Sequence, residues 1–257
     1  MNLMRDLTRL TGDSIAMCYC GASGYEARIR PSETLVLSGQ PYADLNYAVM
    51  DDSADAAQRL EEFVAVAGKR SLPFIVMATP GVTPKLAAVA HSLGLNEGGT
   101  FPLMIRDDSP PPDRASDFEC RPVRDVKALH LANQLLSRAS GIPEAAVHSA
   151  YGSRLLTTPG FKIFLAFKNR EPICTVQTTQ FGSDVGIWGM VTPPELQRQG
   201  AGSTLLDFMI RYHLQRGAAR FFLGSTLAGQ RLYLGAGFKK IDEWTVWLNG
   251  VSSQTEQ

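Results

Sequence analysis

Val185-Gly186-Ile187-Trp188-Gly189-Met190-Val191-Thr192-Pro193-Pro194-Glu195-Leu196-Gln197-Arg198-Gln199-Gly200-Ala201-Gly202-Ser203-Thr204-Leu205-Leu206 lies in the C-terminal half of the chain. As far as Val191 the stretch is uncharged and almost wholly apolar, which reads as a buried strand. Pro193 and Pro194 end ladder pairing and stiffen the exit of that strand. Beyond Gly200, apolar Leu205, Leu206, Met209 and Ile210 recur at helical spacing, so a helix is predicted over 200–215, ended by Gly217. Strand, glycine-bearing loop and helix in that order make an anion cradle, because the first N–H groups of a helix are unpaired and carry partial positive charge. Gly200 and Gly202 leave the backbone open to close approach by a diphosphate. The dinucleotide pattern G-x-G-x-x-G would need glycine where Leu205 stands, and no Gly-Lys-Ser/Thr ending is present. Neither a dinucleotide nor a nucleoside triphosphate is therefore the expected ligand.

Around this stretch the second half alternates helices and strands. Helices are predicted over 125–138 and 142–150, and strands over 162–167, 173–180 and 185–191, with Glu171-Pro172 as the turn between the first two strands. After the 200–215 helix come a strand over 220–223, a short helix over 229–234 and a closing strand over 241–248. The first half repeats that order in weaker form: strand 45–49, helix 54–67, strand 74–77, helix 84–93, strand 100–105. The helix ends also match, Ser92-Leu93-Gly94-Leu95 against Tyr233-Leu234-Gly235-Ala236. An internal duplication accounts for this, although α/β chains alternate in any case. Pro110, Pro111 and Pro112 sit in the polar run between Asp107 and Ser116 and form an extended spacer. The expected division is a first module over 1–108, a proline-rich linker over 109–117, a second module over 118–250 and a frayed polar tail over 251–257.

Bulk composition fits packed α/β modules: 44% of the 257 residues are hydrophobic and 19% charged. Lys plus Arg and Asp plus Glu are both 25, so no basic footprint points to nucleic acid or an anionic membrane as partner. No apolar run reaches the roughly 18 residues that span a bilayer. The first ten residues lack the apolar stretch of a secretory signal, so the cytoplasm is the expected location. Cys18, Cys20, Cys120 and Cys174 show no paired ligand spacing and read as inert thiols; no metal site is expected.

The Gln197, Gly200 and Gly202 pattern resembles the acyl-CoA loop of the GNAT acyltransferases. A second match follows at Leu232-Tyr233-Leu234-Gly235-Ala236-Gly237-Phe238. The resemblance implies an α/β fold in which each of two modules is a mixed, mostly antiparallel sheet flanked by helices. It implies acetyl-CoA or another acyl-CoA as co-substrate, with Gln197, Arg198, Gln199, Gly200, Ala201, Gly202 and Ser203 around the pyrophosphate. Met190, Val191 and Thr192 fall where the family pairs a splayed strand with the pantetheine arm. Thr226 and Gly229 stand where the family often has Asn and Ala. Tyr233 matches the tyrosine beside the thioester sulfur, a general acid for the leaving thiolate; its other reading is a core aromatic. The family's strand glutamate is missing, since no carboxylate lies between Val185 and Thr192. An ordered water, an already neutral amine, or His148 or Asp44 from elsewhere would have to serve. Asp184 lies too early, and Glu195 is expected to point out of the loop. The segment from Ser38 to Tyr42 either lines the acceptor side or is an ordinary surface loop.

In the first half Asp51-Asp52-Ser53-Ala54-Asp55 replaces the loop, and its carboxylates would repel a diphosphate. That module is expected to be the degenerate partner in a tandem GNAT protein. The implied function is transfer of an acetyl or other short acyl group to an amine of a small molecule, by direct attack in a ternary complex. The alternatives are an inactive acyl-CoA-binding sensor or regulatory module, a hydroxyl acceptor, or decarboxylation on the same scaffold. Oligomeric state is left open.

Overall fold

A computed structural model describes residues 3–30, 33–51, 53–79, 84–113 and 116–250. The expected tail over 251–257, Asp52 and two residues of the linker lie outside it. In chain order the elements are α1 (Leu3–Tyr19), β1 (Glu26–Arg30), β2 (Glu33–Leu37), β3 (Asn46–Met50), α2 (Ala56–Lys69), β4 (Phe74–Ala78), α3 (Pro84–Ser92) and β5 (Asn96–Asp107). They continue with β6 (Glu119–Pro122), α4 (Val126–Ser140), α5 (Glu144–Ala150), β7 (Phe161–Lys168), β8 (Glu171–Phe181), β9 (Asp184–Val191), α6 (Ala201–Leu214), β10 (Arg220–Gly224), α7 (Leu227–Gly235) and β11 (Lys239–Asn249).

The mixed sheet flanked by helices is as expected, but the two half-sheets join edge to edge into one. Eleven strands run in the order β1-β2-β3-β4-β11-β5-β10-β9-β8-β7-β6. The halves show one pattern: antiparallel pairing up to β3 and up to β9, a parallel crossover through α2 to β4 and through α6 to β10, then a short helix. At that point each half sends its last strand across. β5 leaves β4 and pairs with β10 from Asp107↔Arg220 to Leu103↔Gly224. The closing strand β11 pairs with β4 from Thr245↔Ala78 to Asn249↔Phe74. The two exchanged strands lie antiparallel to each other at the centre.

Three apolar clusters follow from this arrangement. Leu7, Leu10 and Ile15 of α1 and Leu129, Leu135 and Val147 of α4 and α5 share one core with Val36, Phe222, Trp244 and Val246. Leu205, Leu206, Met209 and Ile210 of α6 pack with Phe221, Leu223 and Tyr233, and Met104 of β5 joins them. Leu60 and Phe63 of α2 and Leu86 of α3 cover Phe74 and Val76, and Trp247 of β11 joins them. Neighbouring β11 residues Val246 and Trp247 enter different cores because strand side chains alternate between faces. The second core thus holds a methionine from the first half, and the third a tryptophan from the second.

Local corrections have local causes. The turn between β7 and β8 is not Glu171-Pro172 but Asn169-Arg170, whose φ values are 51° and 68°. Two consecutive positive φ values make the primed two-residue hairpin turn. Pro172 sits at the start of β8, beside a register shift, where a missing N–H costs little. The sequence pattern predicts neither helix α1 nor strands β1, β2 and β6. α1 buries Thr8, Thr11 and Ser14 among its apolar residues, which hides its helical period. Thr8 bonds Thr79, and Ser14 accepts from Thr179 Oγ1 at 2.7 Å. All four cysteines are free; Cys18 and Cys174 are buried.

His213 of α6 is 1% exposed, within hydrogen-bond reach of Thr178 Oγ1 at 2.9 Å and Gln180 Oε1 at 3.1 Å. Burial first, then Arg216 and Lys162, lower its pKa to about 4. The unfolded chain therefore takes up a proton below pH 6.5 that the folded chain refuses until about pH 4, so stability falls with pH across that window. We expect a loss of about 3 kcal/mol between the two ends. Denaturant melts of wild type and His213→Gln at several pH values would check it. An unchanged difference between the two proteins from pH 7 to pH 4 would refute it.

Candidate functional site

The site opens where two parallel strands part. β9 and β10 pair only over Arg220↔Asp184, Phe221↔Val185 and Phe222↔Gly186. From Ile187 to Val191 the β10-side edge of β9 has no strand partner among the described residues. On its other edge β9 stays with β8 as far as Val191↔Thr175, through an irregularity opposite Thr175–Gln177. Gly189 supplies the kink with φ 51°. A bulge beside a cleft re-aims the residues after it: Met190 packs toward the α6 side and Val191 toward the α4 side. The free edge is a row of N–H and C=O groups able to take an extended ligand as a further strand.

Past Val191 the chain turns through Thr192–Gln197 into α6. The Gln197 side chain donates from Nε2 to the Thr192 carbonyl at 2.9 Å and closes the loop across its mouth. Arg198 holds φ 61°, and Gly200, the N-cap of α6, holds φ 90°. Left-handed residues this close together are the kind of backbone from which anion-binding nests are built. The N–H groups from Arg198 to Ser203 reach no acceptor among the described residues. The first amide to re-enter the helical ladder is that of Thr204, bonded to Gly200 O at 3.1 Å. Ala201 is buried under the first turn, and Ser203 Oγ donates back to Gly200 O at 2.9 Å. A Cβ on Gly202 would stand 3.6 Å from Leu232 and 3.7 Å from Met190, so Gly202 floors the gap between α7 and the end of β9.

Tyr233 projects from α7 into this gap and is 9% exposed. Its ring meets Phe238 edge-on at 5.7 Å. Its hydroxyl reaches no hydrogen-bond partner among the described residues. Burial first, then Cys174, pushes its pKa above the usual phenol range, so the proton stays on at neutral pH. Burial also raises the Cys174 thiol to about 12, against a hydrogen bond from the Thr192 side chain. Thr226 caps α7 by accepting from Gly229 N at 3.1 Å, which leaves its own O–H proton available. A Cβ on Gly229 would lie 3.5 Å from the Tyr233 ring.

Two groups carried no signal in the sequence. Lys168, at the end of β7, donates to Gln199 Oε1 at 2.9 Å and lies 5.6 Å from the centre of the Phe118 ring. It places a cation beside the loop, yet in sequence it is one lysine before a hairpin. Gln177, 1% exposed, faces Gly189, and its Nε2 has no partner among the described residues.

The structure brings no expected base to Tyr233. Asp184 pairs with Arg220 at 2.6 Å at the opposite end of β9. Glu195 points outward onto Arg138 at 2.5 Å. Its own backbone N–H, then Arg138, hold its carboxyl below the usual carboxylate range. His148 packs on α5 against His130. Asp44 lies beside Tyr47, and its carbonyl accepts from the Tyr19 hydroxyl at 3.1 Å. Of the segment before it, Gln40 donates to Ser149 Oγ at 2.9 Å and docks on α5.

The equivalent place in the first half is shut. β3 and β4 stay paired to Met50↔Ala78, and Thr79 N continues to Met50 O at 2.8 Å. Asp51 is buried at the strand end, 3.9 Å from Arg5, and Ser53 bonds Asp55 at 3.0 Å at the start of α2. No splayed edge or inward-turned amide row stands there among the described residues.

Comparison with known proteins agrees with this geometry. Residues 131–238 match the family "Acetyltransferase (GNAT) family". No curated protein matches. Among solved structures, the chain is similar to a GCN5-related N-acetyltransferase from Kribbella flavida, with 16% identity, TM-score 0.70, and coverage of 98% of this chain and 97% of that one. A GCN5-related N-acetyltransferase from Sphaerobacter thermophilus aligns with 14% identity, TM-score 0.59, and coverage of 86% and 82%. A tandem GNAT protein from the clavulanic acid biosynthesis pathway aligns with 14% identity, TM-score 0.54, and coverage of 86% and 80%. At such identities the likeness is one of fold. No helix among the described residues is long and apolar enough to cross a membrane.

Proposed function

We propose, on the premise that residues 131–238 are an acetyltransferase domain of the GNAT family, that the protein transfers an acetyl or other short acyl group from acyl-CoA to an amine of a small molecule. The supporting observation is the coincidence of three features at one spot: the unpaired edge of β9, the free amides from Arg198 to Ser203, and the Tyr233 hydroxyl. The amides and the α6 dipole hold the diphosphate, with Lys168 beside it. The edge from Ile187 to Val191 pairs with the pantetheine arm, and backbone N–H near Val191 polarises the thioester carbonyl. The acceptor nitrogen bonds the carbonyl carbon by direct attack in a ternary complex, the C–S bond breaks, and Tyr233 gives its proton to the sulfur. The amine proton leaves to water, since no carboxylate among the described residues faces the gap. The first half, over 1–108, is a degenerate GNAT-like module that holds no CoA and is joined through 109–117 to 118–250. We place the reaction in the cytoplasm, with neither nucleic acid nor membrane as partner.

Tyr233→Phe is expected to lower kcat by about 100-fold, the usual weight of a general acid, and to change the Kd for CoA by less than about threefold. Stopped-flow turnover with an amine panel and calorimetry with CoA read the two quantities separately. Equal turnover in both proteins would remove Tyr233 from the mechanism. CoA binding without turnover on any amine would favour a sensor that has kept the cradle alone.

A further inference from the structure

We propose that the α4–α5 hairpin carries a site for a divalent transition-metal ion, best suited to zinc, built from His130, Glu144 and His148. One ligand atom from each residue falls within 4.8 Å of the others. His148 Nε2 and His130 Nδ1 face each other at 2.5 Å, and Glu144 Oε1 lies 3.5 Å from His130 Nε2. Ligand atoms around a tetrahedral zinc stand about 3.3 Å apart; those two contacts use opposite nitrogens of His130, so a rotation of its ring must bring one nitrogen to both partners, within the 4.8 Å over which one atom from each residue already converges. Two imidazoles and one carboxylate are the donor set of open zinc sites, in which water completes the coordination.

The backbone prepares this set. Glu144 and His148 are four residues apart and share one face of α5. His148 Nδ1 lies 2.8 Å from the Glu144 carbonyl oxygen. A carbonyl can only accept, so Nδ1 carries the proton and Nε2 offers its lone pair, the tautomer a metal needs. His130 comes from the facing helix. The turn between the helices is fixed by Gly141 at φ 71° and by Ser137 Oγ donating to Ile142 O at 2.7 Å. His130 and Glu144 are exposed and His148 is partly so, which leaves an entry path and room for water. The three ligands come from α4 and α5, so the ion's role is to clamp α5 onto α4.

Titrating the chelator-stripped full chain with zinc chloride in a calorimeter tests the site. We expect one ion per chain with Kd at or below about 10 μM. Loss of one ligand in Glu144→Gln should weaken it about tenfold, and the double variant His130→Gln, His148→Gln about 100-fold or more. Tm of wild type should rise by roughly 5 °C at a free zinc concentration about 100 times Kd, and that of the double variant should not. Circular dichroism shows that the variant has folded. No binding by wild type, or binding that the double variant retains, overturns the proposal and leaves a hydrogen-bonded histidine pair.

Discussion

Gly202→Leu and Gly200→Val are each expected to abolish binding of CoA, by two different routes. A Leu at 202 places its branched end between Met190 and Leu232, which stand 3.7 and 3.6 Å from where its Cβ would be. That fills the gap between the end of β9 and α7 through which the pantetheine arm must pass. Gly200 has open space, with its nearest Cβ neighbour at 3.8 Å. Its constraint is φ 90°, which a β-branched residue reaches only at a cost of about 1–3 kcal/mol. The loop would relax and carry the amides from Arg198 to Ser203 out of convergence. Each variant should lose about 100-fold or more in affinity, or about 2.7 kcal/mol. Gly202→Ala makes only ordinary van der Waals contacts and should lose no more than about threefold. Calorimetry with CoA decides the matter: unchanged binding in both bulky variants would sink the loop assignment, and equal damage from Ala would show that space at 202 is not the reason.

The other large effect concerns the whole fold. Expressed separately, residues 1–113 and 116–250 are each expected to fail to fold cooperatively, and co-expressed they should associate one to one. The first fragment loses β11, and with it the only described partner on the free side of β4. It also loses Trp247, 1% exposed in the core under α2 and α3. Loss of a buried tryptophan alone costs about 3–5 kcal/mol, a large part of the stability of an ordinary domain. The second fragment loses β5 from between β10 and β11, and Met104 from its core. Co-purification of tagged halves and denaturant melts of each would test this. A monomeric 116–250 fragment that melts cooperatively and binds CoA would refute it.

How far the sequence anticipates this molecule depends on whether a feature is local. The strand, loop and helix around Gly200 are written in consecutive residues: an apolar run, two prolines, two glycines and a helical stripe. Each makes its own contribution to the backbone, and the boundaries agree to within a residue or two. The alternation of strands and helices along the chain from β3 to β5 and from β9 to β11 is legible for the same reason. α1 is not, because Thr8, Thr11 and Ser14 are buried by partners as remote as Thr79 and Thr179. A polar residue satisfied across the fold looks the same in sequence as one facing water. Lys168 and Gln177 join the site through contacts with Gln199 and Gly189, on other elements. The exchange of β5 and β11 is a matter of which neighbour a strand selects, and apolar alternation is the same for either.

That exchange bears on how the chain is made. Pairing of β4 with β11 joins residues near 75 to residues near 248, so the mean separation of contacting residues is large and folding should be slow. During synthesis from the N-terminus, β4 emerges long before β11, the strand that covers it. Throughout that interval Phe74–Ala78, five buried apolar residues in a row, presents an uncovered edge of the kind that recruits strands from other chains. The growing polypeptide should therefore depend on chaperones that shield such edges until Trp247 arrives.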